Sequence, residues 1–107
     1  MALDLHIGLW PENASYNEPV ESFEFQEFNA LTKALNDYSS DGFLITRLSD
    51  YYADSIIAYS ETPLAIKEIN ELMKQVEVVT VKNALSKLSQ ACEYAKNHNM
   101  NLYFFCD

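Results

Sequence analysis

The sequence predicts an α+β domain in which a single mixed sheet of about four strands packs against three helices. Two observations lead to this class. Apolar side chains alternate with a period of two near the start of the chain, and in three later segments they recur every three or four residues. Hydrophobic residues make up 49% of the 107 residues, with only two Gly and three Pro, which excludes disordered and low-complexity sequences. We therefore expect residues 1–107 to form one domain.

The first part of the chain is predicted to form a strand, a loop and a helix. Residues 2–10 alternate between apolar and polar side chains, as a strand with one buried face does. Residues 11–19 begin and end with Pro and are predicted to form a polar loop. A helix is predicted over residues 23–38, with Gly42 taking the left-handed conformation beyond its end. The apolar stripe of this helix consists of Phe25, Phe28, Leu31 and Leu35.

Two short strands, over residues 43–48 and 55–59, are predicted to follow and to pair with each other. The first is a short apolar run directly after a glycine. The second contains β-branched residues, but Tyr52, Ile56 and Tyr59 also fit one stripe of a helix. We favour the strand, and the helical alternative stays open for this segment.

The second part of the chain is predicted to form two helices and a last strand. Thr62 is followed by Pro, which predicts an N-cap hydroxyl and a helix over residues 63–75. Thr80 is predicted to cap the next helix, which ends at residues 97–99. The terminal strand, residues 101–106, is apolar on both sides, so we expect it at the centre of the sheet with both faces covered.

The charge of the chain is strongly negative and unevenly distributed. It has 16 Asp and Glu against 7 Lys and Arg, for a formal net charge of −9. Residues 1–61 hold 11 acidic and 2 basic residues, whereas residues 62–107 hold 5 of each. A field of this sign repels phosphate, which argues against a nucleic-acid ligand. Tyrosines are interleaved with the acids of the first part, and this combination suits contact with a basic protein surface.

The candidate partner-binding residues are therefore the acids and tyrosines of the middle of the chain. Their carboxylates would steer a basic partner and pair with its Lys and Arg side chains, and their phenol rings would supply contact area. Residues 50–54 form the densest group. The full set is Asp37, Asp41, Asp50, Tyr51, Tyr52, Asp54, Tyr59 and Glu61.

No arrangement of residues in the sequence indicates an enzyme, a cofactor or a metal site. The two histidines, His6 and His98, have no metal-ligand spacing, and Cys92 and Cys106 are expected to be reduced thiols. Trp10 is expected to pack against the core. There is no basic leader, and the apolar runs are too short for a signal core or a membrane span. We expect no catalytic residues, no cofactor, no membrane partner and a cytoplasmic location.

The second part of the chain also resembles a known class of proteins over residues 62–107. The resemblance is a pattern of core positions with a weaker match in the first strand. It runs from Thr62-Pro63 through Ile66, Glu68-Ile69 and Leu72, then Asn83-Ala84-Leu85, Leu88, Ala91-Cys92, Ala95 and Asn97, to the strand Asn101–Cys106. In these positions the chain is similar to small bacterial immunity proteins of polymorphic-toxin and contact-dependent growth-inhibition systems.

The resemblance implies an antitoxin that binds a cognate toxin domain, often a nuclease, and blocks its active site or substrate groove. Together with the charge, this predicts a non-catalytic immunity protein whose acidic surface covers a basic partner. An acidic nucleic-acid mimic that inhibits a restriction or CRISPR nuclease is the alternative, because it would share the same electrostatics. An enzyme or small-ligand domain and a subunit of a larger assembly also stay open.

Overall fold

The computed structural model describes residues 3–49 and 51–106, and it confirms the α+β class with one four-stranded sheet. The strands are β1 (Leu3–Gly8), β2 (Glu21–Phe23), β3 (Ser55–Ile57) and β4 (Asn101–Cys106). The helices are α1 (Pro11–Ser15), α2 (Phe25–Tyr38), α3 (Thr62–Met73) and α4 (Val79–Asn97). Two 3-10 turns span Leu44–Thr46 and Tyr59–Glu61.

The strand order is β2-β1-β4-β3, so the last strand lies between two others, as its apolar sequence predicted. Every pair in this sheet is antiparallel, and the prediction of a mixed sheet is wrong. The connection between α3 and α4 explains the direction of β4. The chain crosses the helical layer twice between β3 and β4, so β4 begins at the end of the sheet where β3 stops, with Leu102 opposite Ile57.

The core lies between one face of the sheet and the three long helices. Alternation along β1 directs Leu3, Leu5 and Ile7 into this core, with exposures of 6% or less. α4 lies in the middle of the helical layer, where it contacts α2, α3 and three of the strands. Its buried face consists of Val81, Ala84, Leu85, Leu88, Ala91, Cys92 and Ala95.

Residues 43–48 do not form the predicted strand. The Glu68 side chain of α3 explains the outcome, because one of its oxygens accepts the Leu44 N–H at 3.0 Å and the other accepts the Ser39 hydroxyl at 2.7 Å. The Leu44 N–H is thereby bonded to a helix side chain, whereas in a strand it would be available to bond to a neighbouring strand. The segment from Leu44 closes as a 3-10 turn instead.

The third strand is confirmed in place, but its length and its partner differ from the prediction. It ends at Ile57 instead of residue 59, and it pairs with β4. The chain turns directly after the strand because Glu61 Oε1 accepts the Ala58 N–H at 2.9 Å. The buried Thr62 hydroxyl donates to the Tyr59 carbonyl at 2.8 Å and fixes the start of α3.

Three further predictions are wrong in detail. The loop predicted over residues 11–19 contains α1, and Phe23, the first residue of the predicted helix, is the last residue of the edge strand β2, so that α2 begins at Phe25. Gly42 is not left-handed: among the described residues, the positive φ angle belongs to Asn99, at 55° after the end of α4. The helix α2 therefore ends without a glycine cap, with the Ser39 amide donating to the Leu35 carbonyl.

Basic side chains from outside the sheet cover both of its edges. Arg47 Nε donates to the Ile56 carbonyl of β3 at 3.1 Å, and Lys87 Nζ donates to the Ser22 carbonyl of β2 at 3.0 Å. Each cation is also paired with a carboxylate, Arg47 with Glu61 at 2.6 Å and Lys87 with Glu27 at 2.8 Å. Such contacts blunt exposed strand edges that would otherwise pair with other chains.

The Glu27 carboxyl responds to this arrangement. Its partial burial raises its pKa, but hydrogen bonds from Lys87 and from the Glu24 backbone, with the charge of Lys87, lower it further than burial raises it. The pKa of Glu27 therefore lies below its ordinary value.

Among residues 3–49 and 51–106, none of the helices combines the length and hydrophobicity that crossing a bilayer requires.

Candidate functional site

The structure divides the predicted partner-binding residues among three places, and Asp50 lies outside the described residues. Asp37 and Asp41 belong to the helical side of the molecule. Asp37 shares a cleft between α2 and the start of α4 with Lys33, and Asp41 shares a second cleft beside α3 with Lys67. A basic side chain in each cleft offsets part of the negative charge there.

The two tyrosines of the densest predicted group point in different directions. Tyr51 is only 5% exposed and packs edge-on against Phe25 and Phe28, so little of its surface is available for the predicted partner contact. Its hydroxyl donates to the Phe23 carbonyl at 3.4 Å. Tyr52 is 61% exposed and lies against the edge of Tyr51, with ring centres 5.3 Å apart. Tyr52 thus keeps a surface that a partner can contact.

The remaining three predicted residues lie at opposite ends of β3. Asp54 precedes the strand and is exposed, with Oδ1 accepting the Cys106 N–H at 2.9 Å. Tyr59 follows the strand, with 44% exposure, roughly 16 Å farther along an extended chain. Glu61 is paired with Arg47, so its charge is matched within the molecule. Asp54 is therefore the acid of this group whose charge a partner can use.

A second surface, which the sequence analysis did not identify, lies on the face of the sheet turned away from α2, α3 and α4. We call it the outer face. Pairing across the strands places Asp4 beside Phe105, and places Tyr103 between His6 and Ile56. Phe105 and Ile56 remain partly exposed on this face, whereas Tyr103 and His6 are buried to 5% and 8% exposure.

A groove of about 380 Å³ crosses the outer face between α1 and the edge strand β3. The rings of Tyr103 and Phe105 form part of its lining. They stack with their centres 5.8 Å apart and with an angle of 3° between their planes. The His6 ring lies 5.2 Å from that of Phe105. The residues that line the groove are Pro11, Asp54, Ser55, Ile56, Tyr103 and Phe105.

The wall of the groove formed by α1 is held closely to the sheet. Gly8 makes this possible, because a Cβ at its position would lie 2.6 Å from the Ala14 nitrogen of α1. The loop after α1 is fastened by two hydrogen bonds of 2.9 Å: His6 Nδ1 donates to the Asn17 carbonyl, and Asn17 Nδ2 donates to the Ile7 carbonyl. The groove therefore has a preformed shape.

The Lys and Arg residues belong to the long helices and to the segments that follow α2 and α3. Within the described chain, the strands, α1 and the segments at residues 9–24, 51–61 and 98–106 contain no Lys or Arg. The basic residues are Lys33, Arg47, Lys67, Lys74, Lys82, Lys87 and Lys96. The acids of the strands and of these segments are Asp4, Glu12, Glu18, Glu21, Glu24, Asp54 and Glu61. The outer face therefore combines aromatic rings with Asp4 and Asp54, and Arg47 at the edge of β3 is already paired with Glu61.

The signal for the outer face was present in the sequence but was interpreted differently. Alternation along β1 places Asp4 opposite the core. The apolar residues on both sides of β4 predict that both faces of that strand are covered. The structure covers one face with long helices and the other only in part, leaving Phe105 half-buried. Trp10, expected in the core, is 52% exposed at the end of β1.

The titratable side chains of the described residues do not assemble a metal centre: no group of three or more His, Cys, Asp or Glu residues is placed to hold an ion. Burial in α4, reinforced by the nearby Glu93 charge, raises the pKa of the Cys92 thiol to about 12. This thiol is therefore protonated and unreactive in the folded protein. Cys106, at the end of β4, is half-buried.

Comparison of the chain with protein-family models, with curated proteins and with solved structures gives no match.

Proposed function

We propose that the protein is an immunity protein, a non-catalytic cytoplasmic inhibitor that binds a cognate toxin domain and covers its basic active-site or substrate groove. The observation that carries the proposal is the separation of charge between the two layers. The strands, α1 and residues 9–24, 51–61 and 98–106 carry acids and exposed aromatic residues without Lys or Arg, while the seven basic residues belong to α2, α3, α4 and the segments that follow α2 and α3.

The physical argument links this separation to the target. A nuclease binds the phosphate backbone through a groove rich in Lys and Arg. An acidic protein surface is attracted to such a groove, and it accelerates the encounter in a salt-dependent manner. Exposed aromatic side chains such as Trp10 and Tyr52 then supply the rigid contact area on which tight protein interfaces depend. The resemblance of residues 62–107 to immunity proteins supports the same function.

The experiment uses the toxin domain encoded by the gene immediately upstream of the gene for this chain. Cells that express this domain alone should stop growing, and co-expression of this protein should restore growth. The purified protein should inhibit the nuclease activity of the purified domain at an equimolar ratio. A domain that remains fully active in the presence of this protein, with no complex on size-exclusion chromatography, would contradict the proposal.

The alternative of a nucleic-acid mimic gives a different result in the same assay. A mimic of phosphate spacing should inhibit restriction or CRISPR nucleases with unrelated folds. An immunity protein should inhibit its cognate toxin and leave those enzymes active. Inhibition of the unrelated nucleases, without inhibition of the upstream toxin, would replace our proposal with the alternative.

A further inference from the structure

We propose that the groove on the outer face binds an arginine side chain of the toxin domain, with its guanidinium group over the Phe105 ring and between the carboxylates of Asp4 and Asp54. This inference rests on the proposed function and names the surface and the chemical group that would be recognised. It is supported by the position of Phe105, by the two acids beside it and by the distribution of charge.

The aromatic part of the groove has the shape that a planar cation requires. Phe105 stacks parallel to Tyr103 and is only half-buried, so part of its ring is exposed in the groove. A guanidinium group stacks on such a surface through cation–π attraction, and its methylene stem packs on the neighbouring apolar atoms. Ile56, which is 37% exposed, and Pro11 lie along the same groove and provide those atoms.

The two carboxylates lie on opposite sides of Phe105 along the sheet. Asp4 is its register partner on β1. Asp54 immediately precedes β3 and lines the groove, where the hydrogen bond from the Cys106 N–H to Oδ1 fixes its orientation. A guanidinium group carries five N–H donors and is able to bond to both acids, which a compact ammonium group does less well.

The charge of the surroundings favours a cation over an apolar segment as the occupant. No Lys or Arg belongs to the described strands, to α1 or to residues 9–24, 51–61 and 98–106, and Arg47, which donates to the Ile56 carbonyl at the edge of β3, is paired with Glu61. The same chain already contains the proposed arrangement once, because Arg47 lies 4.6 Å from the centre of the Phe43 ring and donates to Glu61 at 2.6 Å. In the groove the aromatic ring and the acids are present, and the arginine would come from the partner.

The exposed rim indicates that the arginine belongs to a protein instead of being a free amino acid. Leu9 and Trp10, at 53% and 52% exposure, lie between the end of β1 and α1, next to the Pro11 wall of the groove. A free amino acid would contact only the groove, whereas a protein surface would also cover these two side chains. Exposed apolar side chains that adjoin a charged pocket are typical of protein interfaces.

The first test measures arginine recognition directly by NMR titration of the isotope-labelled protein with a blocked Gly-Arg-Gly peptide. The neutral peptide with citrulline in place of arginine is the control ligand. We expect amide shifts at Phe105 and Asp54 with the arginine peptide and much smaller shifts with the citrulline peptide. Equal shifts with both peptides, or shifts confined to the helical side, would overturn the inference.

The variants Asp4→Asn and Asp54→Asn test the two carboxylates. Asn at position 54 keeps an oxygen that accepts the Cys106 N–H, so the fold is maintained while the charge is removed. We expect each variant to weaken peptide binding by about fivefold. The double variant Asp4→Asn/Asp54→Asn removes both charges, and its matched control is Glu71→Gln/Glu77→Gln, which removes two charges from exposed residues on the helical side. The control should bind the peptide as the wild type does.

The same variants separate failure of this inference from failure of the proposed function. If the Asp4→Asn/Asp54→Asn protein binds the upstream toxin domain with wild-type affinity, the groove is not the contact surface and the inference is wrong, while the proposed function stands. If the wild-type protein does not bind the toxin domain at all, the proposed function fails. Weakened toxin binding by this variant, with normal binding by the control, supports both.

Discussion

Replacement of Gly8 by Ala tests whether α1 is held against the outer face as closely as the structure indicates. The added Cβ would lie 2.6 Å from the nitrogen of Ala14 and 2.7 Å from its Cα and Cβ atoms. Ordinary contacts between such atoms are about 3.5–4.0 Å. The helix α1 would therefore have to move away from the sheet by about 1 Å, and with it the Pro11 wall of the groove.

The cost of this movement can be set against the stability of the domain. Overpacking of a well-packed site costs about 1–3 kcal/mol in the free energy of unfolding. With a urea dependence of about 2 kcal/mol per molar, a loss of 2 kcal/mol lowers the unfolding midpoint by about 1 M. Because the obstructing atoms at Gly8 belong to the backbone and Cβ of Ala14, no side-chain rotation relieves the overlap.

The assay is urea unfolding followed by circular dichroism, with the fluorescence of Trp10, the single tryptophan, as a local reporter. Gly42→Ala is the matched control. A Cβ at Gly42 would meet the Ser39 hydroxyl and the Glu68 carboxylate, which are side-chain ends that can move apart with loss of the hydrogen bond between them, whereas the backbone of Ala14 cannot rotate away. We expect a smaller loss of stability for this control. An unchanged midpoint together with unchanged Trp10 emission in Gly8→Ala would refute the reasoning.

Three further predictions concern buried groups. Tyr51→Ala should lower the free energy of unfolding by about 3–5 kcal/mol, because it removes a ring that is 5% exposed; chemical denaturation measures the loss. A thiol reagent should label Cys106 in the native protein and label Cys92, whose pKa is raised to about 12, only on unfolding; mass spectrometry distinguishes the two. The lowered pKa of Glu27 stabilises the fold above the pKa of the unfolded carboxyl, so this stability should be lost as the pH falls through the folded pKa; Lys87→Met should reduce this loss in acid unfolding curves.

Each of these predictions has an outcome that contradicts it. Tyr52→Ala is the control for the core ring and should cost less than about 1 kcal/mol, because that side chain is 61% exposed; equal losses for the two tyrosines would contradict the packing. Labelling of both thiols at equal rates would contradict the burial of Cys92. If the free energy of unfolding falls with pH equally in the wild type and in Lys87→Met, Lys87 does not lower the pKa of Glu27.

Periodicity alone predicted the long elements correctly. The alternation of β1 and the three- and four-residue spacing in α2, α3 and α4 depend on burial of one continuous face, which local sequence records directly. The position of β4 at the centre of the sheet followed from its apolar residues on both sides. These elements provide most of the core.

The short elements depend on distant contacts, and sequence reasoning did not find them. The turn at Leu44 exists because the Glu68 carboxylate, 24 residues later, accepts its N–H. β2 has three residues, too few for a recognisable alternation. The helix α1 did have a local signal, a proline at its first position followed by Glu12 in its first turn.

The candidate site was predicted only in part, because it also depends on contacts between residues that are distant in sequence. The uneven charge is a property of composition, and the structure connects it to the two layers of the fold. The choice between an exposed and a buried tyrosine at positions 51 and 52 depends on the approach of Phe25 and Phe28, which the sequence does not reveal. The outer face required the strand register, because only pairing places Asp4 beside Phe105.

The central claim, that a basic toxin domain docks on the acidic outer face of the sheet, is tested most directly by stopped-flow association rates at low and high ionic strength. The wild type, Asp4→Asn/Asp54→Asn and Glu71→Gln/Glu77→Gln are compared, the two variants having equal net charge. We predict that Asp4→Asn/Asp54→Asn associates with the toxin domain more slowly than the control variant does, and that its association rate depends less on ionic strength. Equal rates and equal salt dependence for the two variants would contradict the claim.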